Sequence, residues 1–138
     1  MSELSTVGLL QGKRLEDTRT FLACHGLRMG EDMDYTAQLS EDGAILATGS
    51  LCGNVLKYMA VEESAQGEGA CARILSELVS EAYRRGRTHL FLYTKPESAA
   101  PFRSLGFYDV VAVGGIAMLE NRKAGLDMYL ASLSHGAG

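Results

Sequence analysis

Cysteine is scarce and scattered in this chain: Cys24, Cys52 and Cys71 are the only three in 138 residues. An odd number at irregular spacing argues against a disulfide framework and against a zinc site. The sequence therefore predicts a reducing, cytoplasmic setting and no bound metal. Basic residues are not in excess either. Thirteen Lys and Arg stand against 17 Asp and Glu, a formal net charge of −4, which argues against a nucleic-acid surface. No apolar stretch approaches the ~20 residues needed to span a bilayer. Met1 to Thr6 lack the basic flank and apolar core of a signal peptide. Internal repeats and low-complexity segments are missing too. What remains is 46% hydrophobic and 22% charged. That is the composition of a globular protein, in a chain of one-domain length that can bury a proper core.

The two common nucleotide loops are also absent. There is no Gly-x-x-x-x-Gly-Lys-Ser/Thr, and no Gly-x-Gly-x-x-Gly with an acidic residue closing a βαβ unit. In their place stands Val61 to Leu75. An apolar run, Val55 to Val61, ends in the acidic turn Glu62-Glu63. Gln66-Gly67-Glu68-Gly69-Ala70-Cys71 follows, and an amphipathic run begins there. The order reads as strand, glycine-rich turn, helix N-terminus. Backbone N–H groups at such a turn have no helical partner, and the helix dipole adds partial positive charge. The product is an anion site suited to a pyrophosphate.

The remaining elements follow from periodicity and punctuation. Arg14 to His25 reads as a helix stopped by Gly26. Tyr35 to Leu39 and Ala44 to Leu51 read as a hairpin around Glu41-Asp42-Gly43, and Cys52-Gly53-Asn54 turns into the strand Val55 to Val61. Ile74, Leu75, Leu78, Val79 and Ala82 give Gly69 to Arg85 a helical stripe, ended by Gly86. Leu90 to Tyr93 reads as a buried strand and Ser98 to Leu105 as a short helix. Phe107 to Val113 and Ala117 to Leu119 make a strand pair around Gly114-Gly115, and Ala124 to Leu133 reads as a linker helix.

The loop Gln66-Gly67-Glu68-Gly69-Ala70-Cys71 resembles the acetyl-CoA loop of the GNAT acyltransferases, Gln/Arg-x-x-Gly-x-Gly/Ala, with Cys71 in the last position. The element order is similar to theirs from about Leu15 to Leu119. The resemblance implies an α/β (α+β) GNAT fold: a mixed, mostly antiparallel sheet with a central splayed parallel strand pair and flanking helices. It implies that acetyl-CoA or CoA, or a CoA-like phosphopantetheine arm, is held by Met59, Ala60 and Val61 of the fourth strand and by residues 66–71. Lys95 stands where many of these enzymes have an Asn that contacts the cofactor. Phe102 stands where many have a Tyr that protonates the leaving thiolate, a step a phenyl ring cannot perform. Tyr58, Tyr93 and Tyr108 are the local substitutes, each of which also reads as packing. Tyr108 is the one carried forward as a catalytic candidate. Glu62 is the other, as a base for an amine, although an acidic pair such as Glu62-Glu63 also reads as a solvated turn. Glu68 is expected to use its backbone N–H and face its carboxylate outward.

A narrower resemblance covers the second half. Ala47-Thr48-Gly49-Ser50, Gly53-Asn54-Val55, Phe91-Leu92-Tyr93-Thr94-Lys95-Pro96-Glu97, Phe102, Leu105-Gly106-Phe107 and Leu119-Glu120-Asn121 are similar to the N-terminal domain of the citrate lyase ligases. Those enzymes acetylate the prosthetic thiol of the citrate lyase acyl carrier protein, using ATP and acetate. The resemblance implies a GNAT-like domain over residues 1–122 and a linker, 123–138, toward a nucleotidyltransferase-like domain that lies outside this sequence. It implies the carrier protein as a partner. Two alternatives stay open: a free-standing N-acetyltransferase of a small amine or protein N-terminus, and a non-catalytic CoA-binding module. Cys24 beside His25 is not a nucleophile pair, because adjacent helical residues point about 100° apart. Neither His89 nor His135 has neighbours that suggest a metal.

Overall fold

A computed structural model describes residues 3–67 and 69–121. They fall into two compact units, one ending at Thr88 and one starting at His89. The linker helix expected at Ala124 to Leu133 lies outside the described residues. The fold is α+β, and its sheet pairing within each unit is antiparallel.

The first unit is a four-stranded sheet with a helix against each face. Its strands are β1 (Glu3–Val7), β2 (Tyr35–Glu41), β3 (Ala44–Cys52) and β4 (Val55–Val61), paired in that order. The helices are α1 (Gly12–Cys24) and α2 (Ala70–Arg84). Both end close to the glycine expected, and Gly86 closes α2 with Arg87 N bonded to Ala82 O at 2.8 Å and Gly86 N to Tyr83 O at 3.0 Å, a Schellman motif. β1 was not legible in the sequence. It is a short edge strand with no buried residue, so no apolar alternation marks it.

The two faces of this sheet differ in chemistry. Toward α2, Ala37, Leu39, Ala47, Leu51 and Leu56 meet Ile74, Leu75 and Leu78, all almost fully buried. Toward α1 the buried set includes a polar network beside Leu22, Cys52 and Ala60. Gln38 Nε2 donates to Thr18 Oγ1 at 2.6 Å and to Thr48 Oγ1 at 3.3 Å, and the Thr36 and Ser50 hydroxyls share a bond of 2.8 Å. Alternation of apolar and polar residues normally marks a half-solvated strand. Here the polar half is covered as well. Burial without partners would cost roughly 1–3 kcal/mol per group, and no buried side-chain polar atom among the described residues lacks one.

The second unit holds β5 (Phe91–Thr94), a 3₁₀ turn at Pro96–Ser98, α3 (Ala100–Ser104), β6 (Tyr108–Val113) and β7 (Ile116–Glu120), with β7 between β5 and β6. Leu90, Leu92, Ala99, Phe102, Phe107 and Leu119 form its core. Leu119-Glu120-Asn121 fastens the start of β5 to the end of β7. Asn121 Oδ1 accepts from Leu90 N at 3.1 Å, Asn121 N donates to Leu90 O at 3.1 Å, and the buried Glu120 carboxylate lies 3.0 Å from His89 Nε2. Here the motif acts as a clasp.

Candidate functional site

β4 runs without interruption in sequence but not in geometry. Thr48 pairs with Ala60 and Ser50 with Lys57, so the single residue Gly49 faces two, Tyr58 and Met59. This is a β-bulge, and its first residue, Tyr58, has φ +58. The extra residue changes the parity of the strand. Lys57 and Ala60 share the face of Ser50 and Thr48, while Val61, opposite Ala47, takes the α2 face. Met59 lies on that face too. A Cβ on Gly49 would run into the Met59 sulfur and would sit 2.8 Å from Ile74 Cγ2, so only glycine fits there.

Beyond β4 the chain turns into the glycine loop. Glu62 N bonds Leu46 O at 2.6 Å, and a 3₁₀ turn covers Glu63–Ala65. Gln66 Nε2 then reaches back to Val61 O at 3.2 Å, tying the loop to the end of the strand. Gly67 and Gly69 have φ +84 and +81, where an L side chain is strained. A Cβ at either would meet nothing within 4 Å. Backbone conformation therefore demands these glycines, and the space beside them is open. Gly69 caps α2 with no side-chain bond, and the first helical bond is Arg73 N to Gly69 O at 3.0 Å. The N–H groups of Ala70, Cys71 and Ala72 precede that bond and have no partner in the helix. They stand at the positive end of a 15-residue helix dipole, the geometry that suits an anion. Glu68 lies outside the described residues.

The structure thus brings together Met59, Ala60, Val61, Gln66, Gly67, Gly69, Ala70 and Cys71. Burial pushes the Cys71 thiol up to about 11, so the helix end does not make it a thiolate and it serves as a half-buried filler. Glu62 sits at the strand end, 3.9 Å from His25 Nε2. In the second unit Phe102 is core, 4% exposed. Lys95 precedes the 3₁₀ turn and accepts Ser98 N at its carbonyl, 2.9 Å. Tyr108 opens β6 and is about half exposed. Tyr58 donates its hydroxyl to Asp32 Oδ1 at 2.6 Å. Burial, and then the Asp32 bond, raises its pKa. Asp32 is the residue that sequence reasoning missed, since nothing local links it to a strand 25 residues on.

A bulged fourth strand, a glycine loop and an uncapped helix N-terminus define a class. The fold is that of the GNAT acyltransferases: it overlays an acyl-CoA N-acyltransferase from Pseudomonas aeruginosa with a TM-score of 0.72 at 16% identity, over 88% of this chain and all of that one. N-acetylglutamate synthase from Neisseria gonorrhoeae, solved with coenzyme A and N-acetyl-glutamate, gives 0.65 at 16% identity, over 87% of this chain and 35% of that one. In sequence the chain is similar to a particular kind of enzyme, [citrate [pro-3S]-lyase] ligase. It is 35% identical to the Escherichia coli (strain K12) protein over 124 residues, covering 89% of this chain and 35% of that protein. The Klebsiella pneumoniae ligase is 38% identical over 133 residues, 95% of this chain and 39% of that one. The chain therefore spans little more than a third of the length of these relatives. No protein-family model matches it.

Proposed function

We propose that this chain is the acyltransferase-type domain of a citrate lyase ligase, and that it binds CoA or the CoA-like pantetheine arm of the citrate lyase carrier protein. One observation carries the reading: the α2 N-terminus opens, uncapped, beside two left-handed glycines immediately after the bulged strand. The pyrophosphate is held by the N–H groups of Ala70, Cys71 and Ala72 and by the loop backbone at Gln66, Gly67 and Gly69. The arm lies along the backbone of Met59, Ala60 and Val61, as an added strand would. Glu62 N bonds Leu46 O, so by the two-residue alternation of the ladder Ala60 turns its backbone groups toward β3, while those of Val61 turn away from it and Val61 O is shared with Gln66. The resemblance adds Lys95 and Phe102 to the binding set, and Glu62 and Tyr108 to the catalytic one.

CoA, when bound, supplies a thiol or thioester. The chain's own residues bind and orient it. A buried phenyl ring at Phe102 has no proton to give. General acid catalysis typically contributes about 10²–10⁴-fold, so the domain by itself is a slow N-acetyltransferase. In this reading the arm is presented here, and the thiol is acetylated with the help of the rest of the ligase.

A free-standing acetyltransferase is the second reading, favoured by the match to the entire length of the Pseudomonas enzyme. Titration with citrate lyase carrier protein, with and without its prosthetic group, separates the two. Tighter binding of the modified carrier, competed by free CoA and weakened by Lys95→Ala, supports the ligase reading. Equal binding of both carriers, or of neither, moves the second reading ahead.

A further inference from the structure

The bulge in β4 is built on a residue poorly suited to it. Tyr58 has φ +58, a conformation that costs a non-glycine residue roughly 1–2 kcal/mol and that glycine adopts without strain. Three contacts hold it there. Asp32 Oδ1 accepts the Tyr58 hydroxyl at 2.6 Å. Asp32 Oδ2 accepts Lys57 Nζ, also at 2.6 Å. Gly30 lies beneath the phenol, where a Cβ would sit 2.6 Å from the Tyr58 hydroxyl. One carboxylate thus grips two consecutive side chains of the strand, at the point where its parity changes.

The grip is set in advance. The segment carrying Asp32 is anchored two residues on by Asp34. Asp34 N bonds Leu51 O at 2.9 Å, and its carboxylate takes Gly53 N at 3.0 Å, Arg85 Nη1 at 3.1 Å and Arg87 Nη1 at 3.2 Å. Asp32 is therefore delivered to the strand by the chain between α1 and β2. Without the bulge, Met59, Ala60 and Val61 would each turn to the opposite face, and their N–H and C=O groups would shift register against β3.

We propose that Asp32 is a positioning residue for the pantetheine-binding strand: by holding the Lys57 and Tyr58 side chains it keeps residue 58 left-handed, and so aims the backbone of Met59, Ala60 and Val61. The proposal rests on the CoA reading above, because that reading gives these backbone groups their ligand.

The test is a double-mutant cycle on the full chain, read by CoA titration calorimetry and by amide hydrogen exchange without ligand. Glycine takes φ +58 without strain, so a clamp is needed with Tyr58 and superfluous in the Tyr58→Gly background. Asp32→Ala alone is expected to weaken CoA binding roughly 5–30-fold, the αL cost expressed as an affinity ratio, and to speed exchange at Ala60 and Glu62, whose amides face β3. Asp32→Asn, which keeps an acceptor for the phenol, falls between. In the Tyr58→Gly background, Asp32→Ala causes no further loss in either readout. Tyr58→Asn, whose side chain tolerates the left-handed region, serves as a second background if the glycine variant folds poorly. Equal losses from Asp32→Ala in all backgrounds make Asp32 a plain loop anchor and overturn the proposal, as does no loss in any. If the wild type binds no CoA while the exchange pattern holds, the CoA reading fails and the clamp stands.

Discussion

Replacing Gly49 with alanine adds one methyl group where the sheet packs closely against α2. The new Cβ would lie 2.8 Å from Ile74 Cγ2 and 3.1 Å from Leu78 Cδ1, and would run into the sulfur of Met59. The Met59 thioether can swing away, because it is the end of a flexible side chain. Ile74 cannot: it is 1% exposed, and its β-branch leaves χ1 little freedom on a helix. The clash must therefore be relieved by moving α2 against the sheet. Overpacking of this kind costs about 1–3 kcal/mol. For a chain of this size that is a fall in Tm of roughly 3–15 °C, measured by thermal or urea unfolding. Ile74→Leu removes the offending Cγ2 while conserving volume. The pair Gly49→Ala and Ile74→Leu should therefore be more stable than the sum of the two single losses, by about 0.5–2 kcal/mol. Stability of Gly49→Ala within about 0.5 kcal/mol of wild type, or strict additivity of the pair, would refute the packing geometry on which the bulge and the orientation of Met59 depend.

Further outcomes concern Asp32, the cysteines and Glu120. The bonds from Lys57 and then Tyr58 hold the Asp32 carboxyl below its ordinary value near 3.8. Its contribution to stability is complete above that pH and lost as pH falls through the lower folded value. Asp32→Ala should therefore narrow the stability gap between pH 6 and pH 3 in urea titrations. Burial raises the thiols of Cys52 and Cys71 to about 12 and about 11. At pH 8 only about one Cys71 in a thousand is thiolate, and iodoacetamide should label the exposed Cys24 first. Both buried thiols also withdraw stability as pH rises above the unfolded-state value of about 8.5, so the loss of stability at alkaline pH should be smaller in Cys52→Ser and in Cys71→Ser than in the wild type. Glu120→Ala removes the buried carboxylate that lies 3.0 Å from His89 Nε2 and should cost about 1–3 kcal/mol, whereas Glu120→Gln retains an acceptor and should cost less.

Much of this fold could be read from the residues, and the exceptions are physically instructive. β4 has the bounds that its apolar run and flanking turns predict, because Gly53 and Glu62 punctuate both ends. The bulge inside it was hidden: Lys57-Tyr58-Met59 looks like ordinary strand sequence, and the usual glycine signal is absent because a long-range carboxylate takes over its work. β1 escaped notice since it buries nothing. The loop at 66–71 was legible because glycine spacing and helix onset are local. Asp32, Gly30 and the His89–Glu120 clasp were not, because each depends on residues 25 or more positions away.

The central claim is that the open N-terminus of α2 is a CoA pyrophosphate cradle, and Gly69→Asp tests it most directly. Gly69 is left-handed, φ +81, with open space beside its Cα. An aspartate there strains the cap and sets a carboxylate against the phosphates. Isothermal titration of CoA into the wild type and the variant, with folding checked by circular dichroism, should show binding by the first and a loss of at least about tenfold in the second, the equivalent of ~1.4 kcal/mol. Equal affinity in both, or no CoA binding by a folded wild type, contradicts the account.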